Sequence, residues 1–286
     1  MFGSVKFIIS KLKNLNFFDN LFSVLNSIES HNHLNFEKKS HKERIKIVKQ
    51  FHNPIHKHKT LEKLNFKQIK KIKNQANANI KIVNDIIVGY SKVLKPKSFL
   101  QLGTWYLGEI IILKISGYKG KLIASDFSAE HLKSLKKKIN GTLLENVTLR
   151  KIDIESCRLS DFNNVEMMSA VQVLSNIQPE GIKNLFSILK KSKIRIFIIC
   201  DAYSAKSQRN QKSFKLKKLF NWCHPYKKLA EENGFKSFMI PDFTFDSFTV
   251  SRAIFVIYKN INMEKHKKAL GESLERVIDR NRYLRW

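Results

Sequence analysis

Between residues 98 and 258, short apolar runs alternate with segments whose apolar positions recur every three or four residues. The runs Phe99–Leu102, Leu122–Ser125, Val147–Ile152, Val165–Val171, Ile194–Cys200, Lys236–Ile240 and Ala253–Tyr258 have strand length. The segments between them read as helices. Pro179 stands where the first residue of a helix would be, and Ile182, Leu185, Phe186 and Leu189 form its inner face. Pro225 opens PYKKLAEEN, and Gly234 stops it. This alternation predicts an α/β fold: a Rossmann-like, doubly wound, mostly parallel seven-stranded sheet with helices on both faces. Only a turn-like stretch, 241–252, separates the last two runs, so they are predicted to pair antiparallel, which reverses the last strand.

The flanks are helical. Ile69, Ile72, Ala76, Ile80, Val83, Ile87, Tyr90 and Leu94 recur at three and four and make one apolar face of roughly seven turns. Pro96 ends it, because the residue before a proline is pushed out of the α region. Residues 1–60 read as helical and irregular, with Phe17, Phe18, Leu21, Phe22 and Leu25 at helical spacing. From Met263 another helix carries Leu270, Leu274, Val277 and Ile278 on one face. The expected organisation is a helical N-terminal extension (1–95), a Rossmann-like domain (96–260) and a C-terminal helix (261–286). The two helical ends are candidate elements of a homodimer.

The net charge of +29, from 53 Lys and Arg against 24 Asp and Glu, admits a polyanionic partner such as nucleic acid. The basic residues are mostly lysines spread along the chain, and Gly (10) and Pro (5) are scarce while Lys, Asn, Ile and Phe abound. That pattern fits compositional drift better than a dedicated nucleic-acid surface. His31, His33, His41, His52, His56 and His58 lie among Lys and Asn without cysteines or paired acids, so no metal site is expected. Cys157, Cys200 and Cys223 show no CxxC spacing and suggest a reducing compartment. No run approaches the ~20 apolar residues of a membrane span, and Lys6, Lys11 and Lys13 interrupt the apolar N-terminus. A cytoplasmic protein without a transmembrane segment is expected.

The chemistry is sought at the strand ends, where open α/β sheets bind ligands. SFLQLGTWYLGE (98–109) is a strand running into a glycine turn and then a helix. A dinucleotide site needs GxGxxG so that the backbone can approach a pyrophosphate, but Trp105 stands at the second glycine. No GxxxxGK[ST] phosphate loop occurs either. A nucleoside cofactor without phosphates suits this turn better. Asp126 lies 23 residues after Gly103, close to the ~20 expected of a ribose-binding acid.

These segments resemble class I S-adenosylmethionine-dependent methyltransferases, most of all the small-molecule and sugar O-methyltransferases. LQLGTWYLGE resembles the family's glycine motif and IASDFSAEHL its second motif. LRKIDIES resembles the third motif, MMSAVQVLSNIQPEGIKNLFSIL the fourth strand and helix, and IFIICDAYS the end of the fifth strand. The resemblance covers roughly residues 96–260 and is carried by order and spacing. It implies S-adenosylmethionine as cofactor, with Gln101, Gly103, Thr104, Gly108, Asp126, Phe127, Asp153, Ile154 and Ser169 around it. Asp126 would take the ribose, and Asp153 would approach the adenine. One departure stands out: the family's acid at the end of the first strand is Gln101 here. A glutamine carbonyl accepts a hydrogen bond but brings no charge to the cofactor's ammonium.

A hydroxyl acceptor needs a base, because an alcohol is a poor nucleophile at neutral pH. His224, in NWCHPYKKLAEENGF, is the first candidate and Asp201 the second, with Tyr226 orienting the substrate. The polar, basic stretch between Ala202 and Lys218 reads as a lid or mobile loop. The function expected is methyl transfer to a hydroxyl of a small molecule or glycan. The alternatives are an RNA methyltransferase using the basic segment 31–73, or a catalytically degenerate binding protein of the same fold.

Overall fold

The computed structural model of the chain describes residues 78–104, 107–215, 222–241 and 252–283. The expectations for residues 1–77, including the histidine-rich segment, lie outside them. Chain order is α1 (Ala78–Leu94), β1 (Ser98–Leu102), α2 (Gly108–Ile115), β2 (Lys121–Asp126), α3 (Ala129–Ile139) and β3 (Thr148–Lys151). Two 3-10 turns, Ile154–Ser156 and Leu159–Phe162, lead to β4 (Met167–Val171), and a third, Leu174–Asn176, leads to α4 (Pro179–Lys191). Then come β5 (Ile196–Ala202), α5 (Ala205–Asn210), β6 (Phe214–Lys215), β7 (Trp222–Cys223), α6 (Tyr226–Glu232), β8 (Lys236–Pro241), β9 (Arg252–Tyr258) and α7 (Met263–Tyr283).

Seven strands form one sheet in the order β3-β2-β1-β4-β5-β9-β8, and β6 pairs with β7 in a separate hairpin. β1 to β5 run parallel, while β9 lies antiparallel between β5 and β8. The reversed last strand expected from the sequence is therefore present. Side chains alternate between faces with the strand period of two. Phe99, Ala124, Met167, Ile198 and Val256 belong to one core with α1, α2, α3 and α7. Leu100, Leu102, Ile123, Met168, Ile199 and Phe255 belong to the other, with α4 and α6. Full burial of a large apolar side chain contributes about 1.5–3 kcal/mol, so these two layers hold the sheet edge in place.

The local signals account for the helix ends. Pro179 opens α4, Ser128 Oγ accepts from His131 N at 3.2 Å to cap α3, and Gly234, at φ +76°, follows α6. Pro225 sits one position earlier than expected, as the N-cap of α6. α1 and α7 lie in the same compact unit as the sheet, which takes in Leu61–Trp286, so the expected boundary at residue 95 falls inside that unit. Their contact is close: a Cβ on Gly89 would stand 2.7 Å from the Ala269 carbonyl.

Candidate functional site

The strand order switches direction between β1 and β4, and the crevice beyond their carboxyl ends is where such sheets receive ligands. Gln101 and Ser169 are register partners across that boundary. They are 3% and 0% exposed. Gln101 Nε2 donates to the Gly103 carbonyl at 3.0 Å. Among the described residues, Gln101 Oε1 and Ser169 Oγ have no hydrogen-bond partner. A buried polar atom left in that state costs about 1–3 kcal/mol, which makes the pair a feature that needs a reason.

The turn after β1 is built on Gly103. Its φ is +77°, and a Cβ there would lie 2.5 Å from Val173 Cγ2, so both backbone and packing demand glycine. Thr104 donates to Asp126 Oδ2 through its N–H (3.4 Å) and its hydroxyl (3.2 Å). Ser128 N donates to Asp126 Oδ1 at 2.9 Å. One carboxylate thus ties the turn after β1 to the turn after β2. A carboxylate offers about four acceptor directions, so these three donors leave room for another on Oδ1. Phe127, beside it, is half-buried. Asp153 Oδ1 accepts from Glu155 N at 3.1 Å and caps the 3-10 turn after β3, while Ile154 is buried in the core shared with α4. Gly108 begins α2, and a Cβ there would meet nothing within 4 Å. The residue before it, Leu107, is buried in the left-handed region at φ +48°, a conformation costing about 1–2 kcal/mol for a side chain of this kind. Strain of this sort gathers at ligand sites. Trp105 and Tyr106 lie outside the described residues. The structure therefore brings Gln101, Gly103, Thr104, Asp126 and Ser169 to one corner, with Asp153 on the next strand outward. It adds Glu109, which sequence reasoning passed over although an acid inside LGEIIIL is itself a signal.

The three expected catalytic residues lie elsewhere, beyond β5, and all are enclosed. His224 is 0% exposed. Its Nδ1 accepts from the Ser213 hydroxyl at 2.9 Å, and its Nε2 donates to the Leu174 carbonyl at 3.2 Å. Burial lowers its pKa to about 4, against the smaller opposing effect of the carbonyls. Neither ring nitrogen is open to an acceptor. The expected general base is instead a buried pin between the β6–β7 hairpin and the turn Leu174–Asn176. Asp201 Oδ2 accepts from Ser175 N at 2.9 Å and Oδ1 from Ala202 N at 2.8 Å. Burial pushes its carboxyl pKa up, and these hydrogen bonds pull it back. Tyr226 is 0% exposed and edge-on to Phe255 at 5.1 Å, and its hydroxyl is buried without a partner among the described residues. The expected lid is also corrected. Residues 205–215 form α5 and β6, held because Ser207 Oγ donates to the Cys223 carbonyl (2.7 Å) and Gln208 Nε2 to the His224 carbonyl (2.7 Å).

Among the described residues no group of His, Cys, Asp or Glu could hold a metal ion. No described helix is long and apolar enough to cross a membrane. A shallow hollow of about 530 Å³ between α3 and β3, lined by Lys133, Lys136 and Thr148, lies at the sheet's outer edge and not at the switch point.

No protein-family model matches the sequence, and no curated protein matches it. Among solved structures, the chain is similar to the methyltransferase domain of bacterial CtHen1, at 14% identity over 59% of this chain and 93% of that one, with a TM-score of 0.46. It is similar to the N-terminal domain of EvdMO1 with SAH bound, at 12% identity, covering 62% of this chain and 80% of that one, TM-score 0.47. The bifunctional kinase-methyltransferase WbdD is similar at 16% identity, with 64% of this chain and 39% of that one covered, TM-score 0.47. Likeness this distant assigns no activity to this chain. The fold rests on the strand order itself.

Proposed function

We propose that the chain is an S-adenosylmethionine-dependent methyltransferase whose acceptor is a hydroxyl of a small molecule or glycan. The observation that carries the cofactor is the unpartnered pair Gln101 Oε1 and Ser169 Oγ at the switch point, one turn away from Asp126. The residues fit such a cofactor. Its ribose hydroxyls are donors for the open side of the Asp126 carboxylate, and its amino-acid end carries an ammonium for the two orphaned acceptors. In the sequence, Trp105 replaces the second glycine that a pyrophosphate-binding motif requires. When bound, this group supplies an electrophilic methyl on a positively charged sulfur. The protein's own work is alignment: Gly103 and Thr104 set the turn, and Asp126 locks it to β2. Asp153 is assigned to the adenine edge on the strength of the resemblance, as is the hydroxyl acceptor. His224 and Asp201 serve this reading as buried supports of the β5 end.

The test is calorimetry with S-adenosylhomocysteine. Wild-type protein is expected to bind it. Asp126→Ala should weaken binding by about 100-fold, since it removes both the ribose acceptor and the Thr104 anchor. Unchanged affinity in that variant would sink the assignment. A second reading, a catalytically silent protein of the same fold, is favoured by the uncharged Gln101. It is separated by binding without methyl transfer to any of a panel of hydroxyl acceptors.

A further inference from the structure

Glu109 is a buried carboxyl that takes no part in the Asp126 clasp. It occupies the first turn of α2 and is 6% exposed. Among the described residues no lysine, arginine or histidine forms an ion pair with it. The residues that follow it, Ile110 to Leu113, are buried in the core. Burial raises its pKa to about 7, and its own backbone N–H is the opposing influence. A buried carboxylate without counter-charge is costly, so a chain that keeps one there has either a neutral acid or a cation that arrives from outside.

The surroundings select the second. α2 packs on the face of the sheet that carries Phe99. Gln101, two residues further along β1, emerges on that same face, and Ser169 is its register partner. α2 begins where β1 ends, at the carboxyl edge. Three buried polar side chains therefore share one face and one edge. Among the described residues, two hold an acceptor atom without a partner, and the third is a carboxyl without a cation. An ammonium group has three donors and one positive charge, which is the complement of this set.

Resting on the cofactor reading above, we infer that Glu109 is the counter-charge for the ammonium of the cofactor's amino-acid end, with Gln101 Oε1 and Ser169 Oγ as its neutral acceptors. The negative charge missing from the end of β1 is thus supplied from the first turn of α2. The Gln101 departure then marks a displaced acid and not a lost one.

Two ligands separate this inference from the reading beneath it. S-adenosylhomocysteine carries the ammonium; 5′-methylthioadenosine keeps the nucleoside and lacks the whole amino-acid end. Glu109→Gln is expected to weaken S-adenosylhomocysteine at least tenfold by calorimetry and to leave 5′-methylthioadenosine within about twofold of wild type. The ligand-free melting temperature of the variant should be unchanged or higher, since an unpaired buried acid is removed. If the variant binds S-adenosylhomocysteine as wild type does, the inference is overturned and the cofactor reading stands. If both ligands weaken equally, Glu109 holds the site's shape and not the ammonium, which also overturns it. If wild-type protein binds neither ligand, the cofactor reading fails and the inference fails with it.

Discussion

Two polar corners lie along the carboxyl edge of the sheet, and they are finished in different ways. Beyond β5, Asp201 and His224 are fully enclosed, and their polar atoms are taken up by the Ser175 and Ala202 amides, the Leu174 carbonyl and the Ser213 hydroxyl. The Tyr226 hydroxyl and Gln208 Oε1 are the atoms left over there. At β1 and β4, Gln101 Oε1 and Ser169 Oγ are unpartnered and Glu109 has no cation, among the described residues. The first corner closes on itself by joining the β6–β7 hairpin, the turn Leu174–Asn176 and β5. The second is bordered by the Asp126 clasp, which ties the turn after β1 to the turn after β2. Each corner keeps two unpartnered atoms; what separates them is that the titratable groups Asp201 and His224 are hydrogen-bonded on every side, whereas the carboxyl of Glu109 meets no cation among the described residues.

The largest effect is expected at His224. His224→Ala leaves the Ser213 hydroxyl and the Leu174 carbonyl without partners and opens a cavity, with an expected loss of about 3–4 kcal/mol in urea unfolding near neutral pH. A loss below ~1 kcal/mol would show that the corner is not a fastening. The two corners also have opposite pH signatures. The pKa of folded His224 is lowered from 6.5 to about 4, so the unfolded chain takes up the proton first. Its stability is full above pH 6.5 and is lost as the pH falls towards 4, by about 1.4 kcal/mol per unit, on the order of 3 in all. The pKa of folded Glu109 is raised from 4.5 to about 7, so its contribution is full below pH 4.5 and is lost as the pH rises through 7. Glu109→Gln should therefore raise ligand-free stability by roughly 2–3 kcal/mol above pH 7 and change little near pH 4.5. Denaturant titrations of wild type and variant across this range give the result; a uniform offset at all pH values would mean that burial does not raise the Glu109 pKa, and a loss of stability that grows with pH would mean that Glu109 has a cation partner. The smallest effect is at Ser169. Ser169→Ala removes a hydroxyl that bonds to nothing among the described residues, so ligand-free stability should stay within about 1 kcal/mol of wild type or rise. A clear loss in thermal melts would show that the hydroxyl has a partner.

Much of this architecture can be read in the chain. The seven apolar runs became the seven sheet strands with ends shifted by a residue or two, because strand period and length are local properties. Gly103 and Asp126 were legible for the same reason: each is placed by the strand that precedes it. What lay beyond β5 was not. The stretch 202–218 reads as a polar loop, yet Ser207 and Gln208 fasten it to Cys223 and His224, 16 residues away in both cases. No local pattern records those bonds. His224 looked like a base because its residue type and position suited one, while its burial is set by Leu174, from a different turn, and by Ser213. Glu109 was legible in principle, as an acid among four apolar neighbours, but the absence of a cation beside it is a tertiary fact.

On the proposed reading, the β1–β4 corner seats the cofactor. Amide hydrogen exchange with and without about 1 mM S-adenosylhomocysteine tests it most directly. Slowed exchange is expected in peptides covering 98–112, 124–128 and 167–173, with the amides around Ser175, Ala202 and His224 already slow and unchanged. Protection confined to the α3–β3 hollow, or no protection anywhere, would contradict it.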